Sequence, residues 1–261
     1  MNLIEITEFC KSVAIMAGEA IIEIYHQENF FIEHKDDNSP LTKADKIANE
    51  IIVSNLKNKY PTYAILSEES QDSPERLKND CCFIVDPLDG TKEFISRNGQ
   101  FTVNIALSYK GKPIVGVVYV PVPKELFFAY ENGGAYHIMP DGCTKKIQVS
   151  NKTSNLIFVG SRSHLGKEEE QLLNEKSHLI SGTLSVGSSL KGCMVAGGVA
   201  DVYYRFGPTS REWDTAAMQC IVEQAGGVFA QMDNTEMTYN KKNIVNEKGF
   251  FAVNCKDNIW I

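Results

Sequence analysis

The sequence predicts a protein of mixed α+β or α/β class, with helices and sheets arranged in layers. In the first half, two segments with apolar residues at helical spacing precede a series of β-rich runs, which indicates two helices beside a largely antiparallel sheet. In the second half, strand-like and helix-like segments alternate, which is typical of a layered α/β domain. The polar stretch 139–153 predicts a boundary between a domain of residues 1–150 and a domain of residues 151–261.

In the first half, apolar residues recur every three or four positions from residue 5 to about residue 27, which predicts the first helix. A turn at 38–40 precedes a second helix over 43–58, and Pro61 ends that helix. An Asn-Gly turn signal then indicates a hairpin between the last two of the predicted strands. These strands are predicted at 64–66, 81–85, 103–107, 114–120, 126–130 and 135–138.

In the second half, helices are predicted near 167–176, 189–197 and 213–225, and Gly226-Gly227 ends the last of them. The intervening runs are rich in Val, Ile, Phe and Tyr, which favours strands. These strands are predicted at 156–159, 179–185, 202–204, 228–230 and 250–253.

The composition is that of an ordinary globular protein, with 43% hydrophobic and 23% charged residues. A net charge of -7 argues against a general nucleic-acid binder, which needs basic patches. No apolar run has the length of a transmembrane helix, and the N-terminus lacks the features of a secretion signal, so we expect a cytoplasmic protein. The seven cysteines include no Cys-x-x-Cys pair, which favours small buried thiols in a reducing compartment.

The strongest local signal is the hexapeptide Asp-Pro-Leu-Asp-Gly-Thr at 86–91, directly after a predicted buried strand. Asp86 and Asp89 are separated by a proline-fixed bend, so their carboxylates can converge on one point with the Leu88 carbonyl oxygen between them. Hard oxygen ligands of this kind suit magnesium.

Gly90 and Thr91 begin a predicted short helix, where free backbone N–H groups can receive phosphate oxygens. The alternative is that Asp89 or Thr91 merely caps this helix. Capping and ligation are compatible, so the alternative does not exclude a site.

Two further acidic residues have a functional and a structural interpretation. Glu68 follows a predicted strand within Ser-Glu-Glu-Ser and could be another metal ligand, although paired glutamates are more commonly solvated. Asp45 lies three residues after Thr42, which resembles a capping box. The functional alternative is that Asp45 faces a cleft and orients an attacking water.

The second half adds candidate site residues, each with a functional and a structural interpretation. Asp214 begins the last helix beside a tryptophan, where the helix dipole stabilises a carboxylate in any case. Ser188 and Lys191 lie at another helix start and suit a phosphate or a ribose, or the serine is a plain cap. Arg205 could contact a phosphate, or it could be an ordinary surface arginine.

Taken together, these segments resemble the inositol monophosphatase superfamily of lithium-sensitive, magnesium-dependent phosphatases. The resemblance spans nearly the whole chain. The motifs occur in the right order: Leu-Thr-Lys-Ala-Asp at 41–45, Ser-Glu-Glu-Ser at 67–70, the hexapeptide at 86–91 and Trp-Asp-Thr-Ala-Ala at 213–217. Four motifs in order are an improbable coincidence, so the resemblance favours the functional interpretation of each.

Within this superfamily, the chain is most similar to the CysQ-type 3′(2′),5′-bisphosphate nucleotidases. The discriminating segments are Asp-Gly-Thr-Lys-Glu-Phe at 89–94, Gly-Ser-Ser-Leu-Lys at 187–191 and Tyr-Arg-Phe-Gly-Pro-Thr at 204–209. The segment 210–212 is longer or differently composed than expected, which puts the substrate contacts of this loop in doubt but not Asp214.

The resemblance implies two to three bound Mg²⁺ ions. Glu68, Asp86 and the Leu88 carbonyl would hold one ion, and Asp86, Asp89 and Asp214 would hold a second.

The resemblance also implies that Asp45 and the Thr91 hydroxyl position and activate the attacking water. A third, weakly held magnesium ion would assist them in the implied mechanism. The backbone N–H groups of Gly90 and Thr91 would hold the scissile phosphate. The implied set of phosphate and substrate contacts is Glu68, Leu88, Asp89, Gly90, Thr91, Ser188, Lys191, Arg205 and Asp214.

The implied fold is a layered αβαβα sandwich with the active-site cleft between two halves. The expected partner is a small nucleotide substrate, with no nucleic acid and no transmembrane segment. The resemblance favours a monomer but leaves the oligomeric state open, as it leaves open a peripheral association with the inner membrane.

The expected activity is removal of the 3′-phosphate from adenosine 3′,5′-bisphosphate, a by-product of sulfate activation. The nearest alternative is an inositol monophosphatase or a broad sugar phosphatase on the same scaffold. The alternative from another class is a non-catalytic homologue that binds metal or nucleotide, and the intact acidic set argues against it. If Ser188, Lys191 and Arg205 face the cleft, a nucleotide with a second phosphate is favoured.

Overall fold

The computed structural model describes residues 1–27, 32–34, 40–162 and 166–261, and for residues 32–34, 40 and 41 the backbone alone. Asn2 caps the first helix through its side chain, and Thr42 caps the second. The helices are α1 (Leu3–Tyr25), α2 (Lys43–Lys59), α3 (Thr91–Ile95), α4 (Lys167–Glu175), α5 (Leu190–Ala196) and α6 (Glu212–Gln224).

The first half contains a short antiparallel pair and a seven-stranded sheet of order β3-β4-β5-β6-β7-β8-β9. Only the β3–β4 pair of the large sheet is parallel, in agreement with a largely antiparallel prediction. The strands are β1 (Ile32–His34), β2 (Pro40–Thr42), β3 (Ala64–Ser67), β4 (Cys81–Asp89), β5 (Thr102–Tyr109), β6 (Lys112–Val120), β7 (Glu125–Tyr130), β8 (Gly134–Ile138) and β9 (Thr144–Ile147).

The second half contains a five-stranded mixed sheet of order β11-β10-β12-β14-β13. Strand β10 is parallel to both of its neighbours, and β14 is antiparallel to both of its neighbours. The strands are β10 (Leu156–Ser161), β11 (Ile180–Val186), β12 (Val202–Arg205), β13 (Val228–Gln231) and β14 (Phe250–Val253).

Three buried apolar clusters show that the elements form five layers. Helices α1 and α2 pack on one face of the seven-stranded sheet, with residues such as Ile21 and Phe83 between them. Helices α5 and α6 fill the space between the two sheets, where Ile221 is fully buried. Helix α4 contributes Leu172 to the outer face of the five-stranded sheet. The fold is therefore the expected αβαβα sandwich.

Two details differ from the predictions. Strand β4 continues to Asp89 instead of ending at Val85, with a register shift between Asp86 and Asp89. Pro87 lacks a ladder N–H, so the strand bulges there rather than ending. The polar stretch 139–153 contains the edge strand β9, whose exposed lysines hide a strand signal but suit an unpaired edge. The predicted turn at 38–40 lies mostly outside the described residues.

Among the described helices, none is both long enough and apolar enough to cross a membrane. The seven cysteines are free thiols, and the expectation that they are buried is wrong for the exposed Cys143. The division into domains of residues 1–150 and 151–261 stays a prediction.

Candidate active site

Three carboxylates, two from one strand of the first half and one from a helix of the second half, converge in the fold. Asp86 and Asp89 lie on the bulged end of β4, and Asp214 lies in the first turn of α6. One oxygen of each carboxylate lies within 4.8 Å of an oxygen of both others. The predicted ligands Asp86, Asp89 and Asp214 are therefore neighbours in space.

These carboxylates repel one another in a poorly solvated place. Burial, with repulsion from Glu68, Asp89 and Asp214, raises the pKa of the Asp86 carboxyl well above its ordinary value. Burial, with repulsion from Asp89 and Glu68, raises the pKa of Asp214 to about 8, although the Arg211 backbone N–H opposes this shift. Such a cluster is stabilised either by protons or by a cation.

Each of the three aspartates is fixed by hydrogen bonds from nearby donors. Asp86 Oδ1 accepts from the Leu88 backbone N–H at 3.1 Å. Asp214 Oδ2 accepts from the Arg211 backbone N–H at 2.7 Å, which is the capping contact that its place in the first helical turn predicts. Asp89 Oδ2 accepts from the backbone N–H of Ser189 at 2.7 Å. These contacts hold the carboxylates beside one another before any ligand arrives.

Glu68 lies just after β3, and its backbone N–H donates to the Val85 carbonyl at 3.2 Å. Glu68 is outside the set of three carboxylates with mutually close oxygens, but it is near enough to raise the pKa values of Asp86 and Asp214. It is half-buried, so the interpretation as a fully solvated loop residue does not describe it.

Asp45 forms the predicted capping box and also contacts Thr91, whereas its role in orienting a water stays a prediction. Its Oδ2 accepts from the backbone N–H and the hydroxyl of Thr42, at 2.7 and 2.5 Å, which forms the capping box of α2. Its Oδ1 accepts from the Thr91 hydroxyl at 3.2 Å. Asp45 is 1% exposed. The capping box and the contact with Thr91 therefore use different oxygens of one buried carboxylate.

The junction between β4 and α3 depends on a glycine. Gly90 has φ of +94°, in the left-handed region that a side chain disfavours. Its conformation turns the chain so that Thr91 begins α3 directly beside Asp89. The Thr91 hydroxyl also lies 3.5 Å from the Leu88 carbonyl, so Thr91 contacts two of the predicted site residues.

A cleft of about 230 Å³ opens beside the carboxylates, and Asp89, Gly90 and Asp214 line it. Ser188, Lys191 and Arg205 line the same cleft, together with Lys92, Glu93, Ser161, Ser189, Tyr203, Thr209, Ser210, Met218 and Phe250. Ser188, Lys191 and Arg205 therefore line the cleft, which is the arrangement that favours a substrate with a second phosphate.

The Lys191 side chain, which lines this cleft, is oriented by its neighbours. The Lys191 ammonium donates to the Ser188 carbonyl at 2.6 Å and lies 5.5 Å from the centre of the Tyr203 ring. Burial lowers the pKa of Lys191, while the carboxylates of Asp89 and Glu93 oppose this shift. Lys191 is thus positioned to interact with an anion in the cleft.

Sequence reasoning missed several residues of this site. Asn104 donates to Asp89 at 3.1 Å, and Thr102 lies 3.5 Å from the same oxygen. A polar residue inside the apolar run of β5 was a signal that could have identified Asn104. Tyr203 lines the cleft but carries no motif signal of its own, and Glu93 lies within the discriminating segment 89–94 but was assigned no role there.

The unusual segment 210–212 has a structural role through its last residue. Glu212 is fully buried and accepts from the backbone N–H groups of Asn240 and Lys241, at 2.6 and 2.8 Å. Arg76 donates to the Asn240 side chain at 2.9 Å and to the Lys241 carbonyl at 2.9 Å. The start of α6, which carries Asp214, is therefore fixed to the first half of the chain.

The donor set fits a hard divalent cation. It consists of carboxylate oxygens, which magnesium and calcium prefer, with no thiolate or imidazole among the three clustered residues. A divalent cation would also neutralise the repulsion that raises the pKa values of Asp86 and Asp214.

Comparison with known proteins gives a consistent result. Residues 2–255 match the model of the inositol monophosphatase family. A Salmonella typhimurium protein named 3′(2′),5′-bisphosphate nucleotidase CysQ is 42% identical over 236 residues, which cover 90% of this chain and 94% of that protein. A protein of the same name from Buchnera aphidicola is 38% identical over 245 residues, 92% of this chain and 90% of that protein.

A solved structure shows the same architecture. The crystal structure of CysQ from Bacteroides thetaiotaomicron, described as a bacterial member of the inositol monophosphatase family, superimposes with a TM-score of 0.84. The two chains are 40% identical, and the match covers 96% of this chain and 97% of that chain.

Proposed function

This chain belongs to the inositol monophosphatase family, and from that premise we propose that it hydrolyses adenosine 3′,5′-bisphosphate to AMP and phosphate. It is a phosphatase of a metal-dependent family, and its relatives at 38–42% identity are named 3′(2′),5′-bisphosphate nucleotidases. The observation that carries the choice of substrate is the cleft itself, where Ser188, Lys191 and Arg205 face the same space as Asp89 and Asp214. A substrate with one scissile phosphate and one recognised phosphate would use both of these groups of residues.

We propose that the metal is magnesium and that two to three ions bind. Glu68, Asp86 and the Leu88 carbonyl would hold one ion, and Asp86, Asp89 and Asp214 would hold the second. When bound, the metal would supply charge neutralisation for the phosphoryl oxygens and the leaving oxygen, and would make water a better nucleophile.

The protein's own residues would then handle the proton and the substrate. A water placed near Thr91 attacks phosphorus, its proton passes to the Thr91 hydroxyl, and the Thr91 proton passes to Asp45 Oδ1, 3.2 Å away. The bond between phosphorus and the ribose 3′ oxygen breaks, and that oxygen takes a proton from a solvent water to become a hydroxyl, while the proton on Asp45 returns to solvent. The backbone N–H groups of Gly90 and Thr91 would bind the scissile phosphate. No covalent intermediate with the enzyme is required.

The second phosphate would bind to Ser188, Lys191 and Arg205 in the same cleft. Lys191 and Arg205 would supply positive charge, and the Ser188 hydroxyl would supply a hydrogen bond. An inositol monophosphate has no second phosphate to use these groups, so it would gain less from binding there.

We also propose that the two halves of the chain contribute different parts of the site. Residues 1–150 would carry most metal ligands, and residues 151–261 would carry Asp214 and the substrate contacts on Ser188, Lys191 and Arg205. We infer that the protein acts in the cytoplasm on a small nucleotide from sulfur metabolism and has no nucleic-acid partner.

Phosphate release from adenosine 3′,5′-bisphosphate and from inositol 1-phosphate, each in magnesium buffer with and without lithium, tests this function. We expect a strong preference for the nucleotide, loss of activity with a chelator and weaker activity with lithium. Preference for inositol 1-phosphate would keep the metal site but overturn the role of Ser188, Lys191 and Arg205. Absence of activity on both substrates would favour a non-catalytic binding protein.

A further inference from the structure

Ser189 lies immediately before α5 and contacts carboxylate-bearing residues from both halves of the chain. It is 2% exposed, so it is almost fully buried at the edge of the cleft. Its partners are Asp89 of β4, Asp214 of α6 and Asn104 of β5. A buried serine that joins three separate elements at a functional site has a role beyond packing.

One oxygen of Asp89 receives most of these contacts. The backbone N–H and the hydroxyl of Ser189 each lie 2.7 Å from Asp89 Oδ2, and Asn104 Nδ2 lies 3.1 Å from the same atom. Hydrogen bonds to an ionised carboxylate are stronger than neutral ones, so this group of donors fixes the rotamer of Asp89. Among the described residues, none donates a hydrogen bond to the other oxygen, Oδ1.

The Ser189 hydroxyl is also saturated by its neighbours. It accepts from Asn104 Nδ2 at 2.9 Å and lies 3.0 Å from the Asp214 carbonyl oxygen. A hydroxyl has one proton to donate, and the charged oxygen of Asp89 is the stronger and closer acceptor. Because this proton goes to Asp89, the Asp214 carbonyl oxygen only packs against the hydroxyl oxygen, which makes Ser189 a spacer between Asp89 and the first turn of α6.

We propose that Ser189 is a positioning residue that sets the distance and orientation between the metal-binding carboxylates of Asp89 and Asp214. It directs Asp89 Oδ2 towards the protein, which leaves Oδ1 for the metal. It also aligns a ligand of the first half with a ligand of the second. The inference rests on the proposed function only in that Asp89 and Asp214 are metal ligands.

Ser188 and Ser189 therefore have different tasks although they are adjacent. Ser188 has φ of +52°, a left-handed conformation, and its residue lines the cleft. The turn is tight because Gly187 packs on the Gln100 carbonyl, which a Cβ at Gly187 would approach to 2.6 Å. Ser188 is thereby available to the substrate, while Ser189 is committed to the carboxylates.

The direct test is the affinity of metal-free Ser189→Ala protein for Mg²⁺, measured by isothermal titration calorimetry. We expect the Kd to rise roughly 10- to 100-fold, the effect that loss of a hydrogen bond to a metal ligand generally has. Ser54→Ala, an exposed serine on α2, is the control and should leave the Mg²⁺ Kd and the activity unchanged. An unchanged Kd in Ser189→Ala would overturn the proposal.

Three further measurements separate positioning from general destabilisation. The melting temperature in chelator reports the stability of the metal-free fold, and a drop there without a change in Mg²⁺ Kd would mean a merely structural role. The activity of Ser189→Ala should recover towards that of the natural protein as the Mg²⁺ concentration is raised, so the loss appears in the metal requirement rather than in kcat. If Ser189→Ala does not fold, the nearly isosteric Ser189→Cys should show the same weakened Mg²⁺ binding, and normal binding would overturn the proposal.

The outcome is independent of the substrate. If the natural protein binds Mg²⁺ but does not hydrolyse adenosine 3′,5′-bisphosphate, the proposed function fails while the role of Ser189 stands. If the nucleotide is hydrolysed and Ser189→Ala binds Mg²⁺ normally, the function stands and the role of Ser189 fails.

Discussion

Glu169 of α4 and Arg205 of β12 form an ion pair at the wall of the cleft, with Glu169 Oε1 3.5 Å from Arg205 Nη1. The glutamate side chain is 3% exposed, whereas that of Arg205 is 17% exposed. Glu169 Oε1 also accepts from the Phe206 backbone N–H at 3.2 Å, and Arg205 Nε donates to the Thr209 hydroxyl at 2.8 Å. The guanidinium is therefore held from behind by a buried carboxylate and a hydroxyl.

This arrangement predicts that Arg205→Lys weakens recognition of the second phosphate. A lysine keeps the charge but cannot contact Glu169, Thr209 and a phosphate with one rigid fork. We expect KM for adenosine 3′,5′-bisphosphate to rise about 10-fold, which corresponds to loss of one charge-assisted hydrogen bond. Steady-state kinetics with adenosine 3′-monophosphate provide the control, because that substrate lacks the 5′-phosphate and its KM should hardly change. An equal rise for both substrates would contradict a contact with the second phosphate.

A second prediction concerns Asp89 as a metal ligand. Asp89→Asn keeps an oxygen for the Ser189 and Asn104 donors but removes the negative charge, so we expect an intact fold and a loss of activity of at least roughly 100-fold. Circular dichroism checks the fold, and phosphate release checks the activity. Asp80→Asn, at an exposed position, is the matched control and should behave like the natural protein. Near-normal turnover of Asp89→Asn would remove Asp89 from the list of ligands.

A third prediction contrasts a buried arginine with an exposed lysine. Arg76 pairs with Asp72 at 2.7 Å, and its side chain is 3% exposed. Arg76→Met removes this pair and the bonds to Asn240 and the Lys241 carbonyl, so it should lower the free energy of unfolding by about 3 kcal/mol.

Urea denaturation measures this change, and Lys78→Met is its control. Lys78 pairs with Glu75 at 2.7 Å, but both side chains are more than 70% exposed, at 74% and 73%. Removal of this pair should cost less than about 1 kcal/mol. Similar losses for the two variants would refute the importance of the buried contacts of Arg76.

A fourth prediction follows from the raised pKa of Asp214, which is about 8 against an ordinary value of 3.8. Between these pH values the folded, metal-free protein retains a proton that the unfolded chain has lost. The resulting contribution to stability is complete below about pH 4 and is lost as the pH rises through about 8. Magnesium needs the ionised carboxylate, so its stabilising effect should show the opposite trend.

Thermal unfolding at a fixed Mg²⁺ concentration tests this trend. The increase in melting temperature that Mg²⁺ produces should be larger at about pH 8 than at about pH 6. Asp214→Asn, which has no carboxylate to ionise at this position, should show a smaller difference between the two pH values. An Mg²⁺ effect that is equal at both pH values, or larger at the lower one, would argue against proton displacement from this cluster.

The sequence predicts most of the architecture because each element has a strong local pattern. Residues 114–120, for example, are β-branched except for Gly116 and Tyr119, and they lie within β6 (Lys112–Val120) as predicted. Strand β9 was missed because its lysines are exposed at a sheet edge, where pairing with β8 decides the conformation and no apolar alternation is needed.

The site was predictable to the extent that its residues lie in contiguous motifs. Asp86 and Asp89 are three positions apart in one bend, so their proximity follows from the chain itself. Ser189 and Glu169 contact their partners only through the tertiary fold, across 100 positions in the case of Ser189 and Asp89. A local pattern carries no information about such a pairing. The same applies to Asn104, whose partners lie on other elements.

Helices α5 and α6, which form the layer between the two sheets, are synthesised after most of the acidic residues of the site. Glu68, Asp86 and Asp89 precede residue 150, whereas Asp214 lies on α6, which also covers the inner face of the first sheet. A ribosome-bound or prematurely terminated chain that stops before α6 would expose that apolar face and lack one carboxylate. A fragment that has not completed its interior therefore cannot assemble the cluster of Asp86, Asp89 and Asp214.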